Sequence, residues 1–266
     1  MKIGYFGDES SHTYVCALKN FPSDRLTGFQ SIAAAAEAVE QGRMDGAVVP
    51  IENSVGGTVG DALDAIKNYG VYITAQYFMG ISHSLIGLPG ASKNGIKRIY
   101  SHPQALSQCD EYLKRFFPDA LKIPVASTSA ALKTLKSEDE AAVARSALPG
   151  QTVLDSEIED VKSNTTRFVL IKSAPVFRGE NVSVMFDTRH RPGELLKALN
   201  VLAGYDLNMH KLESRPSRDG VFRYWFYVEF DCRLDKEQLM AVMHKLEGAA
   251  GFIKFAGMYS SADNPT

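Results

Sequence analysis

From residue 182 onward the apolar pattern of the chain changes, and this change constrains the fold more than any other feature. Residues 182–186, 207–213, 222–230 and 252–258 read as strands, and residues 192–203 and 236–246 as helices. The order strand, helix, strand, strand, helix, strand, over about 75 residues, predicts a ferredoxin-like βαββαβ unit. Arg218-Asp219-Gly220, between the two central strands, reads as a hairpin turn, and the small, polar residues 260–266 as a frayed end.

Before that unit, strands and helices alternate. Strands are expected at 3–6, 46–51, 71–88 with a break at Gly80, 98–100, 123–126, 141–144 and 168–171, and helices at 10–18, 31–41, 57–69, 103–117 and 127–135. Ser31 is placed to cap its helix and Gly42 to stop it, and Pro103 suits a first helical turn, where a missing N–H costs nothing. The alternation implies a mostly parallel α/β domain, with ligands bound where strand ends meet helix N-termini. Residues 172–181, with Pro175 and Gly179 and no regular period, read as a linker. A length of 266 residues suits two domains better than one core.

Composition narrows the partners. Hydrophobic residues at 45% and charged residues at 23% exclude a disordered chain, and 29 Lys+Arg against 31 Asp+Glu give no electrostatic reason to bind nucleic acid or anionic lipid. Cys16, Cys109 and Cys232 are odd in number and stand in no metal-ligand spacing, so reduced thiols and a cytoplasmic location are expected, with neither metal nor disulfide. The N-terminal residues lack the apolar core of a signal peptide, and no run of 18 apolar residues predicts a membrane span.

Four polar clusters interrupt the apolar elements of the first domain. They are Gly7-Asp8-Glu9-Ser10-Ser11-His12-Thr13, residues 50–58 (Pro-Ile-Glu-Asn-Ser-Val-Gly-Gly-Thr), Ser101-His102-Pro103-Gln104-Ala105-Leu106, and Asn164-Thr165-Thr166-Arg167-Phe168. Hydroxyls, amides and free N–H groups converging on one cleft suit a carboxylate ligand. Each cluster also has a plain structural reading: Ser10 and Ser101 as helix caps, Asn53-Ser54 with Gly56-Gly57 as a turn, His102 as a hydrogen-bonded brace and Arg167 as an ion pair. No Walker, dinucleotide, hydrolase-elbow or zinc-binding spacing occurs.

Taken in order, Pro50-Ile51-Glu52-Asn53-Ser54-x-x-Gly57, Ser101-His102-Pro103-Gln104-Ala105-Leu106-x-x-Cys109 and Asn164-x-Thr166-Arg167-Phe168 resemble the motif set of prephenate dehydratase. Pro192-Gly193-x-Leu195 and Leu207-Asn208-Met209-x-Lys211-Leu212-Glu213-Ser214-Arg215-Pro216 resemble the ACT regulatory domain that follows it. The resemblance implies a two-lobed catalytic domain of periplasmic-binding-protein type over 1–173 (lobes 1–74 with 156–173, and 75–155), then an ACT domain over 182–259. Two departures stand out. After Gly7 the family's second glycine and aromatic are replaced by Ser10 and His12, and Glu194 replaces a small residue after Gly193.

The resemblance further implies that prephenate loses CO2 and water to give phenylpyruvate, without a cofactor. It assigns Thr166 and Arg167 to catalysis, Thr166 as a hydrogen-bond donor to the departing oxygen and Arg167 either to a substrate carboxylate or to bracing the motif. Substrate-binding residues are then Ser11, Thr13, Asn53, Ser54, Gly57, Ser101, Gln104 and Phe168. Phenylalanine is expected as a feedback inhibitor, held between two chains, near Gly193, Leu195 and Asn208 on one side and Glu213, Ser214, Arg215 and Pro216 on the other, in a homodimer or homotetramer. Rival readings are an arogenate dehydratase, a two-lobed solute-binding protein, and an amino-acid sensor without activity.

Overall fold

The computed structural model describes residues 1–189, 191–217 and 224–261. The turn expected at 218–220, the start of the strand expected at 222, and residues 262–266 of the expected frayed end lie outside the described residues.

The first lobe opens with β1 (Lys2–Phe6), α1 (His12–Asn20), β2 (Arg25–Phe29), α2 (Ile32–Glu40), β3 (Gly46–Asn53), β4 (Gly57–Thr58) and α3 (Gly60–Asn68). Here β1 lies between β2 and β3, parallel to both. The chain leaves along β5 (Tyr72–Gly80) and builds a second sheet from β6 (Ser84–Gly87), β7 (Arg98–Ser101), α4 (Pro103–Gln108), α5 (Asp110–Phe116), β8 (Leu121–Pro124), α6 (Thr128–Thr134), β9 (Glu140–Ala144) and β10 (Thr152–Asp155). It returns along β11 (Thr165–Lys172), which inserts antiparallel between β3 and β5.

That return corrects the expectation of a mostly parallel domain. The two crossings between lobes make the first sheet mixed, and the second sheet, in the order β10-β6-β9-β7-β8, is mixed as well. Two expected helices also change. The one at 57–69 begins only at Gly60, because Gly57 and Thr58 turn back to pair with β3. The one at 103–117 is split at Cys109, whose φ of −120° is not helical. Ser31 and Ser127 cap α2 and α6 through their hydroxyls, and Ser11, rather than Ser10, caps α1.

The remaining elements are β12 (Asn181–Asp187), α7 (Glu194–Ala203), β13 (Met209–Pro216), β14 (Tyr224–Asp231), α8 (Lys236–Ala249) and β15 (Ile253–Tyr259). Their order in the sheet, β13-β14-β12-β15, with antiparallel neighbours, is the ferredoxin-like arrangement. One face of this sheet packs on α7 and α8 through Val184, Phe186, Val228 and Leu239. The other face joins the core of the first lobe, where Met185, Trp225, Tyr227 and Tyr259 meet Leu63, Ile66, Ile73 and Ile171.

The sheets themselves are continuous, since β15 runs beside β5 with Gly257 opposite Ile73. The backbones approach so closely that a Cβ on Gly257 would lie 2.1 Å from the Ile73 carbonyl oxygen, and φ there is +152°, so only glycine fits. Lys254 on β15 donates to the Ile66 and Tyr69 carbonyls at the C-terminal end of α3, where a cation is favoured. Midway along α3, Arg215 donates to Asp64 at 3.2 Å.

Candidate active site

A cleft of about 380 Å³ lies between the lobes, lined by Ser11, His12, Thr13, Asn53, His83, His102, Gln104, Thr166 and Phe168 among others. Among the described residues, no Asp, Glu, Lys or Arg lines it.

Its floor is the end of the β3/β11 ladder, where Asn53 stands opposite Thr166. The Asn53 side chain is oriented by its own turn: Oδ1 accepts from the backbone N–H of Val55 at 3.0 Å and of Gly56 at 2.7 Å. Its amide nitrogen must therefore face the other way, and it donates to Asn164 Oδ1 at 2.7 Å and to Thr166 Oγ1 at 2.8 Å. The Thr166 oxygen is thus an acceptor from Asn53, and its own O–H remains to be donated elsewhere. Ser54 latches the same turn, accepting from Thr165 N at 2.9 Å and donating through its backbone N–H to Thr165 O at 2.8 Å. Gly57, at φ +74°, makes the turn back into β4.

The walls come from helix starts. Ser11 accepts from Tyr14 N at 3.1 Å while donating to Phe6 O at 3.3 Å, which sets Thr13 in the buried first turn of α1. Opposite, His102 caps α4 by accepting from Gln104 N through Nδ1 at 3.2 Å. Asp8 bridges the lobes: it accepts from Ser129 on α6 and from Ser10 at 2.7 Å. Burial would raise its pKa, but these hydrogen bonds and nearby Lys133 hold it below the ordinary carboxylate value.

His12 and His83 meet edge to face with ring centroids 5.7 Å apart. Burial, aided by His83 and Arg145, pushes the His12 pKa down to about 4, so the ring is neutral. Burial lowers His83 too, whose Nε2 lies 2.8 Å from Gln108 Oε1. His12 Nε2 and His83 Nδ1 are buried without a hydrogen-bond partner.

Of the expected substrate and catalytic residues, Ser11, Thr13, Asn53, Gln104, Thr166 and Phe168 come together at the cleft, while Ser54, Gly57, Ser101 and Arg167 do not line it. Ser101 is fully buried and donates to Val143 O at 2.5 Å. Arg167 projects from the opposite face of β11 and pairs with Glu229 through two bonds of 2.8 Å and with Glu52 at 2.9 Å. Burial would make Glu229 a weaker acid, yet hydrogen bonds from His210 and Arg167 hold its pKa at about 2. Sequence reasoning left out His83 and Gln108, which meet each other from 25 residues apart; Asp8 and Asn164 were visible as members of their clusters.

The expected effector residues divide. Gly193 and Leu195 line a second cavity of about 750 Å³ together with Arg189, Arg191, Tyr224 and Phe226. Asn208 donates to Asp231 at 3.2 Å, Glu213 accepts from Thr58 at 3.0 Å, and Arg215 reaches Asp64. Ser214 and Pro216 lie on β13 opposite Phe226 and Tyr224.

Comparison with known proteins agrees with this architecture. Residues 3–176 match the family described as prephenate dehydratase, and residues 182–248 match the ACT domain. A prephenate dehydratase of Lactococcus lactis subsp. lactis (strain IL1403) is 35% identical over 275 residues, covering 98% of each chain. The chloroplastic arogenate dehydratase/prephenate dehydratase 1 of Arabidopsis thaliana is 31% identical over 283 residues, covering 97% of this chain and 72% of its own. The solved prephenate dehydratase of Arthrobacter aurescens, in complex with L-Phe, superposes with a TM-score of 0.89 at 28% identity, covering 100% of this chain and 92% of that one. With its two-lobed domain, its Asn53–Thr166 floor and its ferredoxin-like unit, the chain belongs to the prephenate dehydratase family and carries an ACT domain.

Proposed function

We propose that the chain is a prephenate dehydratase of L-phenylalanine biosynthesis, acting in the cytoplasm, with residues 1–173 as the catalytic part and 182–259 as the regulatory part. The observation that carries the reading is the Asn53–Thr166 hydrogen bond, which leaves the Thr166 O–H to be donated at the floor of a cleft that, among the described residues, no charged side chain lines. In the reaction the bond from the ring to its carboxylate breaks and CO2 leaves. The electron pair enters the ring and expels the 4-hydroxyl, which takes up one proton and departs as water. Aromatisation supplies the driving force, so the protein has only to hold two carboxylates and assist the departing oxygen. A threonine hydroxyl is far too weak an acid to ionise; Thr166 acts by aiming a hydrogen bond at that oxygen, worth about 3 kcal/mol in a site shielded from water.

Thr13 and Gln104 hold the carboxylates through neutral donors, and Ser11, whose hydroxyl is engaged by Phe6 and Tyr14, fixes the start of α1 beside them. Asn53 orients Thr166, Ser54 and Gly57 shape the turn, Ser101 braces β7 against β9, and Phe168 packs beside the substrate ring. The geometry supports Arg167 as a brace rather than a partner of substrate. Phenylalanine is the effector, taken in the cavity at Gly193 and Leu195. The second half of its site, Asn208 and Glu213 to Pro216, comes from the partner chain of a homodimer or homotetramer. The named plant relatives also support a second substrate: arogenate carries an ammonium where prephenate has a keto oxygen. Incubation with each substrate, read as phenylpyruvate absorbance in alkali or as phenylalanine released, tests both readings. Turnover of neither substrate removes the assignment.

A further inference from the structure

Side chains alternate faces along a strand, so the residues next to Asn53 and Thr166 face away from the cleft. These are Glu52 and Arg167, which are also paired across the β3/β11 ladder. On that far side both are taken up by the second domain. Arg167 binds Glu229 of β14 with both Nη atoms at 2.8 Å, and Glu52 at 2.9 Å, while Lys211 of β13 donates to Glu52. Glu229 is 1% exposed and Arg167 9%, and Tyr227 adds its hydroxyl to Glu229.

The β3/β11 ladder is interrupted at this point. It shifts between Arg167 and Phe168, which pair with Glu52 and Pro50, so Ile51 is left over as a bulge. Beyond the bulge the two strands pair at Arg167–Glu52 and Thr166–Asn53, and the Ser54 bonds to Thr165 close the end. A buried ion pair adds little net stability over an apolar packing of the same shape, but it fixes one arrangement of the groups it joins. An adjoining crevice of about 390 Å³, lined by Gln76, His210 and Asp231 as well as the pair itself, leaves these side chains room to exchange partners.

We propose that Arg167 is a positioning residue: its ion pairs with Glu229 and Glu52, backed by Lys211, set the Asn53–Thr166 hydrogen bond from behind. The ACT domain thereby adjusts the reaction through the back of the strands that carry it. The inference rests on the dehydratase reading for its kinetic consequences, but not for its structural one.

The test compares the full-length wild type with Glu229→Gln, which keeps shape and removes charge. Hydrogen exchange at 164–168 and 52–54 is expected to rise at least tenfold, with β7 and β9 unchanged. On prephenate, kcat per folded molecule is expected to fall at least tenfold with KM within twofold. Phenylalanine is expected to bind as in the wild type by calorimetry, yet no longer to change turnover. A purely structural brace lowers the melting temperature and leaves the kcat against KM split and the phenylalanine response as they were, and that result overturns the proposal. Lys211→Met, which leaves Arg167 paired to Glu229, carries the same readouts if Glu229→Gln fails to fold. Wild-type exchange at 164–168 and 52–54 in the folded variant also overturns it, whether or not prephenate is the substrate. A wild-type protein inert toward prephenate counts against the dehydratase reading alone, and the exchange result then decides the positioning role.

Discussion

Asn53 donates to the Thr166 oxygen at 2.8 Å because two backbone N–H groups, from Val55 and Gly56, occupy the other end of its amide. The polarity of one hydrogen bond at the cleft floor is thus set by the backbone of the turn that Asn53 begins.

Thr166→Ala is expected to lower kcat by about 10²- to 10³-fold, the cost of removing one donor to a developing negative oxygen. Stability is expected to fall by only about 1 kcal/mol, since Asn53 keeps Asn164 as an acceptor. Steady-state kinetics with a urea titration separate the two effects, and near-normal turnover would falsify the role of Thr166.

Asn53→Asp reverses the polarity. A carboxylate there accepts from Thr166 and draws its proton away from the cleft, while its charge repels a dianionic substrate. Both kcat and affinity are expected to fall, each by at least about tenfold, from roughly 1.4 kcal/mol apiece. A variant that loses affinity alone counts against the orienting role of the amide.

His12 gives the protein a dependence on acid. Its folded pKa, about 4, lies below the ordinary 6.5, so its contribution is complete above pH 6.5 and is lost as pH falls toward 4, because the unfolded chain takes up the proton first. The loss amounts to about 3 kcal/mol. In His12→Phe, the decline in unfolding free energy between pH 7 and pH 4 is expected to shrink by about that amount. Parallel curves for the two proteins contradict the assignment.

Asp8 holds the lobes together through Ser129. Asp8→Ala is expected to raise KM severalfold with a smaller change in kcat. Since its folded pKa is depressed below 3.8, the contribution to stability is present above that value and disappears as pH falls through the depressed one. The melting temperatures of wild type and variant should converge as pH falls through that depressed value.

Gly257→Ala forces a Cβ against the Ile73 carbonyl in a backbone conformation that suits glycine. A loss of about 3 kcal/mol or more in unfolding free energy is expected, read from a lowered denaturant midpoint. An unchanged midpoint shows that the junction of β15 with β5 is looser than described.

Much of this was legible in the chain. Ser31 announced its helix, and the clusters around Asn53, Gln104 and Thr166 fall at the cleft because strand ends followed by helix starts collect there. What a linear reading lacked was the parity of each strand. Arg167 and Thr166 are neighbours in sequence and lie on opposite sides of the sheet, and only the pairing with β3 decides which of them sees the cleft. Ser101 is turned inward for the same reason. Residues 25–29 gave no strand signal because β2 is a short edge strand with only partial burial. The partner of Asp8 stands 121 residues away, beyond the reach of any local pattern.

The shared core has a practical consequence for anyone wishing to free the enzyme from feedback. Cutting the chain after β11 would strip Met185, Trp225 and Tyr227 from the surface of α3 and leave β5 as a bare edge, prone to join other chains. The regulatory module is a wall of the catalytic one. Deregulation has to come from exchanged side chains, with the whole polypeptide retained.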